Sequence, residues 1–160
     1  MSPRLVVAGM AAAILPDADV IGFRFGIPYG AELGHRGASH SLLFALLCGL
    51  AALIAADRLK SGRLVAFAFV SFSAASHGLT DMLTNGGRGV ALWWPLSAQR
   101  LFWPVRPVDV SSIGIDALTD GSLIHVLASE ALWLLLPATL LSLLFRWATS
   151  PHIDLPEGQS

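Results

Sequence analysis

Residues 41–56 read "SLLFALLCGLAALIAA", an uncharged stretch that decides the fold. It is long enough for a helix and too apolar for a solvated one. Arg58 and Lys60 follow it and can snorkel, extending the stretch toward the ~20 residues that cross a bilayer. Directly before it stands "HRGASH", residues 35–40, which sets two histidines and an arginine at the threshold of a membrane helix. Ionisable groups at membrane depth are costly and need partners, so the rest of the chain must supply them.

The whole composition agrees with a membrane protein. Of 160 residues 54% are hydrophobic and 13% charged, and the mean hydropathy is +0.66. A net charge of -1 excludes nucleic acid as a partner, because capture of phosphates needs a basic surface. The single cysteine, Cys48, rules out an internal disulfide and reads as a small buried hydrophobe.

Two further stretches read as helices. Residues 64–80, "LVAFAFVSFSAASHGLT", turn from apolar to small, as helix contacts in lipid favour. Residues 123–147, "LIHVLASEALWLLLPATLLSLLFRW", are long enough to cross, with His125 and Glu130 read as hydrogen-bonded inside the bundle. At the N-terminus "RLVVAGMAAAIL" runs into "PDAD", residues 16–19, which also resembles the end of a secretory signal peptide. The Gly- and Pro-punctuated stretches 22–34 and 84–109 are interfacial loops carrying most of the aromatics. The expected fold class is all-α, a polytopic helical membrane bundle of about four helices in one domain, residues 1–150, with a disordered tail at 151–160.

Placing the polar residues on this outline brings six of them to one layer. A hairpin of 41–56 and 64–80 around "DRLKSGR", residues 57–63, puts His35, His40, His77 and Asp81 on one side. A first helix crossing from the opposite side delivers Asp17 and Asp19 there too. His77 and Asp81 are spaced i,i+4 and share a helix face. An extended backbone after Pro16 would turn Asp17 and Asp19 the same way, for a bidentate or bridging role. His35 and His40 lie five apart, about 140° on a helix, so Ser39 is expected as the N-cap with His40 in the first turn and His35 in the loop. Each piece alone reads as an ordinary hydrogen-bonded pair or capped turn; in so apolar a chain the set reads as a metal site. Imidazole and carboxylate without thiolate suit zinc, with manganese or iron as alternatives.

The blocks "ILPDAD", "GHRGASHS" and "SHGLTDMLTNGGRGVALWWP", in this order over residues 13–106, resemble the signatures of a family of membrane-bound, metal-dependent hydrolases of the bacterial inner membrane. Some members of that family are regulated by the SOS repressor LexA, and the family looks distantly like zinc-dependent phospholipase C. The resemblance implies a helical inner-membrane protein with a metal site built from the aspartate pair, the two histidines and the helix His-x3-Asp. Many members carry a histidine in a helix before the aspartates, and none precedes Asp17 here.

A divalent ion in such a site lowers the pKa of bound water toward ~7 and polarises a phosphoryl or acyl oxygen, so hydrolysis is the expected reaction. Arg88, Arg100, Arg106 and Trp94 in the loop after Asp81 are read as binding the phosphate headgroup of a lipid or lipid-linked substrate, or else as anchoring the interface. Arg36 is expected to point away from the ion and serve substrate, because a guanidinium is repelled by a cation. Glu32, Asp116 and Asp120 are candidates for proton transfer. The competing class is a membrane protein that binds metal for structure or carries it across. Basic residues divide equally between the two sides, and the clustering in "DRLKSGR" favours that loop as cytoplasmic.

Overall fold

The computed structural model describes residues 1–110 and 122–149; Asp116, Asp120 and the tail 151–160 lie outside the described residues. The chain falls into two compact units divided after Val110. It is all-helical: the described residues contain no strand, only isolated bridges joining Thr84 to Val108 and Val90 to Leu101.

Helix α1, Pro3–Ile14, starts on Ser2, whose side chain accepts from the Leu5 N–H, with proline in the first turn where its missing N–H does no harm. Pro16 then removes a donor from the helical ladder, and the chain tightens into a 3-10 run over Leu15–Phe25. Helix α2 is Leu42–Ile54 and helix α3 is Arg63–Asp81. Ser41, not Ser39, caps α2 by accepting from Phe44 N. His40 therefore stands outside the helix, in a 3-10 turn over Ala38–His40.

The three helices meet through small side chains. Leu5, Ala12, Ala45, Ala52, Ala56, Ala66, Val70 and Ala74 form one buried cluster. Small residues let helix backbones approach closely, which favours dispersion contacts where no water drives association. Ser2 Oγ donates to Leu59 O, and Arg4 Nη1 donates to Arg58 O at 3.0 Å. These bonds tie the start of α1 to the loop between α2 and α3. The end of α1 consequently emerges beside the start of α2 and the end of α3, as the hairpin outline requires.

Two helical runs are long and apolar enough to cross a membrane, Pro3–Phe25 and Leu123–Thr149. Helix α2 has 13 residues, about 20 Å at 1.5 Å per residue, and so falls short of a ~30 Å hydrocarbon core. The span expected at 41–56 thus ends early, in turns from Ala55 onward. In the second unit, Ser122–Glu130 continues through a π-helical turn at Ala131–Leu135 into Leu136–Thr149, together α4. Pro137 lacks the N–H for a regular i to i-4 bond, which accounts for a wider turn just before it. Ile124, Leu127, Trp133, Leu140, Phe145 and Trp147 are all exposed, an apolar covering along most of α4 that suits hydrocarbon, interrupted by exposed His125 near its start and Arg146 near its end.

Candidate metal centre

The site is built at the end of the bundle where α1, α2 and α3 converge. His77 and Asp81 project from one face of the last turns of α3, with His77 Nε2 and Asp81 Oδ2 3.8 Å apart. Gly78 between them lets α3 press onto the turn that carries His40: a Cβ there would lie 2.6 Å from His40 O, closer than real contacts permit.

Asp17 and Asp19 arrive differently from the extended arrangement expected. They sit in the 3-10 run, where two residues span roughly 240° of turn, so their carboxylates face different partners. Asp17 Oδ1 meets His77 Nε2 at 3.2 Å and His40 Nε2 at 3.6 Å. Asp19 Oδ1 meets His35 Nδ1 at 2.7 Å, and its Oδ2 accepts from Ser39 Oγ at 2.5 Å and faces His40 Nδ1 at 3.2 Å. Asp17 and Asp19 accordingly fall in different groups of converging ligand atoms instead of turning the same way.

His40 joins the two groups, and its side chain is wholly buried. Its ligand-capable atoms belong to two sets, Asp17, His40, His77 and Asp81 on one side and Asp19, His35 and His40 on the other, each within 4.8 Å. A neutral imidazole has one acceptor nitrogen. With Nδ1 turned to Asp19, the acceptor is Nε2, which faces Asp17, His77 and Asp81 Oδ2, the last at 3.2 Å. Asp19 then orients the ring, as a carboxylate commonly does for a ligating histidine. Burial opposes a charge on His40, but Asp17, Asp19 and Asp81 outweigh it and push its pKa up to about 10.

A divalent cation fits this donor set. His40 Nε2 and Asp81 Oδ2 are buried and have no hydrogen-bond partner, although they lie 3.2 Å apart. Without an ion the two form an ion pair through a proton on His40; with His40 neutral they are two acceptors facing each other, which a cation between them satisfies. Asp17, His40, His77 and Asp81 would hold it, an N2O2 set with no thiolate.

Arg36 is turned toward this cluster, not away from it. It is buried, and its backbone adopts φ 62°, a left-handed conformation uncommon for a side chain of its size. Its Nη2 donates to Asp81 Oδ1 at 3.3 Å, and its Nη1 donates to Thr84 Oγ1 at 2.8 Å and Gly86 O at 3.0 Å. The Asp81 carboxylate would stand between the guanidinium and any cation, and the guanidinium is not free for substrate.

The remaining candidates separate. Arg100 donates to the carbonyls of His35, Gly89 and Ala31, so its fork clamps the loops and is unavailable to a phosphate; burial depresses its pKa. Arg106 stands over the Phe102 ring at 4.7 Å. Arg88 is exposed, with its Nη1 against Gly30. Trp94 Nε1 donates to Glu32 Oε2 at 3.1 Å, at the surface. Ser39 and Thr84, which anchor Asp19 and Arg36, were not singled out by chemistry, since hydroxyls carry no spacing signal of their own.

A buried carboxylate and imidazole cluster at the end of a helical bundle, in a chain with two helices fit to cross a bilayer, defines a membrane protein with a candidate metal centre. Comparison with known proteins is consistent: the chain belongs to the YdjM inner membrane protein family, whose pattern matches residues 2–153. It is 39% identical over 146 residues to the inner membrane protein YbcI of Escherichia coli (strain K12), covering 91% of this chain and 84% of that protein. No solved structure matches it. The chain is therefore a bacterial inner-membrane protein.

Proposed function

We propose that this protein is a membrane-embedded, metal-dependent hydrolase acting on a phosphoester of a lipid or lipid-linked substrate. The observation that carries the reading is the pair of orphaned, buried atoms, His40 Nε2 and Asp81 Oδ2, at the centre of four convergent ligand groups. A divalent ion there, zinc by donor type with manganese or iron also suited, supplies Lewis acidity and lowers the pKa of water. One ion is expected rather than two, since His40 has one acceptor nitrogen. The charges of Asp17, Asp19, Asp81 and Arg36 also sum to zero with one divalent cation.

The chain's own residues set the approach. Asp17 is half exposed while His40 is sealed, so substrate enters from the Asp17 side. A cavity of about 320 Å³ lined by Leu33, Ala38, Leu43, Phe44, Leu47 and Trp94 abuts Asp19 and Ser39, and its apolar wall suits an acyl or prenyl chain. Exposed Arg88 and Arg106 are the loop arginines left to meet a phosphate, and Glu32 is the described candidate for proton transfer.

Metal analysis of the purified protein, followed by assay of phospholipids, polyprenyl phosphates and carboxylic esters in detergent, tests the reading. Stoichiometric zinc or manganese and hydrolysis of a phosphoester that disappears in His77→Ala are expected. Tight metal with no member of the panel hydrolysed would favour a structural or transported ion.

A further inference from the structure

Arg36 is the arginine that touches the cluster's carboxylates among the described residues, and both terminal nitrogens of its fork are in use, while its Nε stands 3.2 Å from Asp81 Oδ2 without a hydrogen bond. Its Nη1 is fixed to Thr84 Oγ1 and Gly86 O, both in the segment just after α3, and its Nη2 occupies Asp81 Oδ1. Thr84 Oγ1 in turn donates to Asp81 O at 2.7 Å. The left-handed backbone at Arg36 aims the side chain back at α3. The guanidinium thus spans Asp81, with a hydrogen bond to Oδ1 and an ion-pair contact but no hydrogen bond to Oδ2. Oδ2, buried without a hydrogen bond, faces His40 Nε2 at 3.2 Å and His77 Nε2 at 3.8 Å on one side and Arg36 Nε at 3.2 Å on the other, so Arg36 fixes which oxygen is turned to the histidines.

From this geometry we infer that Arg36 is a positioning residue that makes Asp81 a one-oxygen metal ligand, and that the segment from Thr84 to Gly86 sets the position of Arg36. The inference rests on the metal-centre reading above. A carboxylate free at both oxygens can close on an ion with two, raising the coordination number. Holding Oδ1 keeps the site at four protein donors rather than five, so that an ion taking five or six ligands retains a position for water. Lysine at position 36 would keep the charge but provide a point donor in place of a planar fork, so it cannot hold Asp81, Thr84 and Gly86 together.

Cobalt(II) is the probe, because the intensity and position of its visible bands report coordination number directly in the full-length protein in detergent. Arg36→Lys is expected to weaken cobalt affinity by about 10–100-fold, the usual range for groups behind a ligand. Its bands should also weaken as Asp81 turns to give two oxygens. Thr84→Val, which removes one anchor and leaves Arg36 in place, should shift the bands in the same direction by less, and decides the matter alone should Arg36→Lys fail to fold. A parent-like spectrum and affinity in a folded Arg36→Lys, or an unmoved spectrum in Thr84→Val when Arg36→Lys is unfolded, overturns the assignment. Failure of the parent protein itself to bind cobalt defeats the metal-centre reading instead.

Discussion

The middle of the α1–α3 bundle and its Asp–His end are held by opposite means. In the middle, Ala45, Ala52, Ala66 and Ala74 bring helices together with scarcely a polar contact. Gly49 lies so close to α3 that a Cβ would stand 1.8 Å from Ser71 Oγ and 2.9 Å from Phe67 O. At the end, Asp17, Asp19 and Asp81 crowd around His35, His40 and His77, with Arg36 behind. Packing contacts need no third party, whereas a set of acceptors aimed at one another does. The difference teaches that the contacts holding the helices together and the groups able to take up an ion lie in separate parts of the same bundle, so the two should be alterable independently.

His40→Ala should have the largest effect, since it removes the ring both carboxylate groups share. Metal affinity should fall by about a thousandfold or more, on the order of 4 kcal/mol, read by metal analysis after dialysis. Retained metal would show that the end of the bundle does not depend on this residue.

Acidity acts on the same ring. With its pKa raised to about 10, His40 is protonated in the metal-free protein at neutral pH, and an ion must displace that proton. The sign follows: affinity falls as pH falls, by about tenfold per unit, so titrations at pH 8 and pH 6 should differ by about 100-fold. A flat profile between those values would remove His40 from the ligand set.

Asp19→Asn leaves all four ligands in place but weakens the hold on His40 Nδ1. The expected loss is about tenfold in metal affinity, the lower end for an orienting carboxylate. A loss as great as that of His40→Ala would instead make Asp19 a ligand.

Gly49→Ala tests the other half of the comparison. Forcing α2 away from α3 should lower stability by roughly 1–3 kcal/mol, seen as a lower melting temperature in detergent, and leave metal affinity of the folded protein unchanged. A change in affinity would mean that the middle and the end are mechanically coupled.

Much of this was legible in the sequence. The helical class followed from hydropathy, and the meeting of Asp17, Asp19, His35, His40, His77 and Asp81 at one end followed from counting crossings. The i,i+4 spacing gave the shared face of His77 and Asp81. Orientation was harder to read. The 3-10 run that parts Asp17 from Asp19 arises where a proline interrupts a helix, and nothing in "PDAD" distinguishes it from an extended turn. Arg36 could not be oriented because its direction depends on a left-handed φ at a non-glycine residue. Ser41 outcompeted Ser39 for the cap because Ser39 Oγ is engaged by Asp19, a partner 20 residues away.

Those distant partners also set an order of events. The α2–α3 hairpin closes over a short loop, but the His77 and Asp17 pair joins residues 60 apart in sequence, and Arg36 and Thr84 are 48 apart. Contacts between remote segments form slowly because loop closure precedes any gain from them. The α2–α3 hairpin therefore forms first, and both the docking of α1, whose Ser2 meets Leu59 across 57 residues, and the Asp–His end follow it. An ion bound there ties the late contacts shut, so its effect should appear in the escape rate from the native state more than in the rate of reaching it, measurable by comparing unfolding and refolding of metal-loaded and metal-free protein.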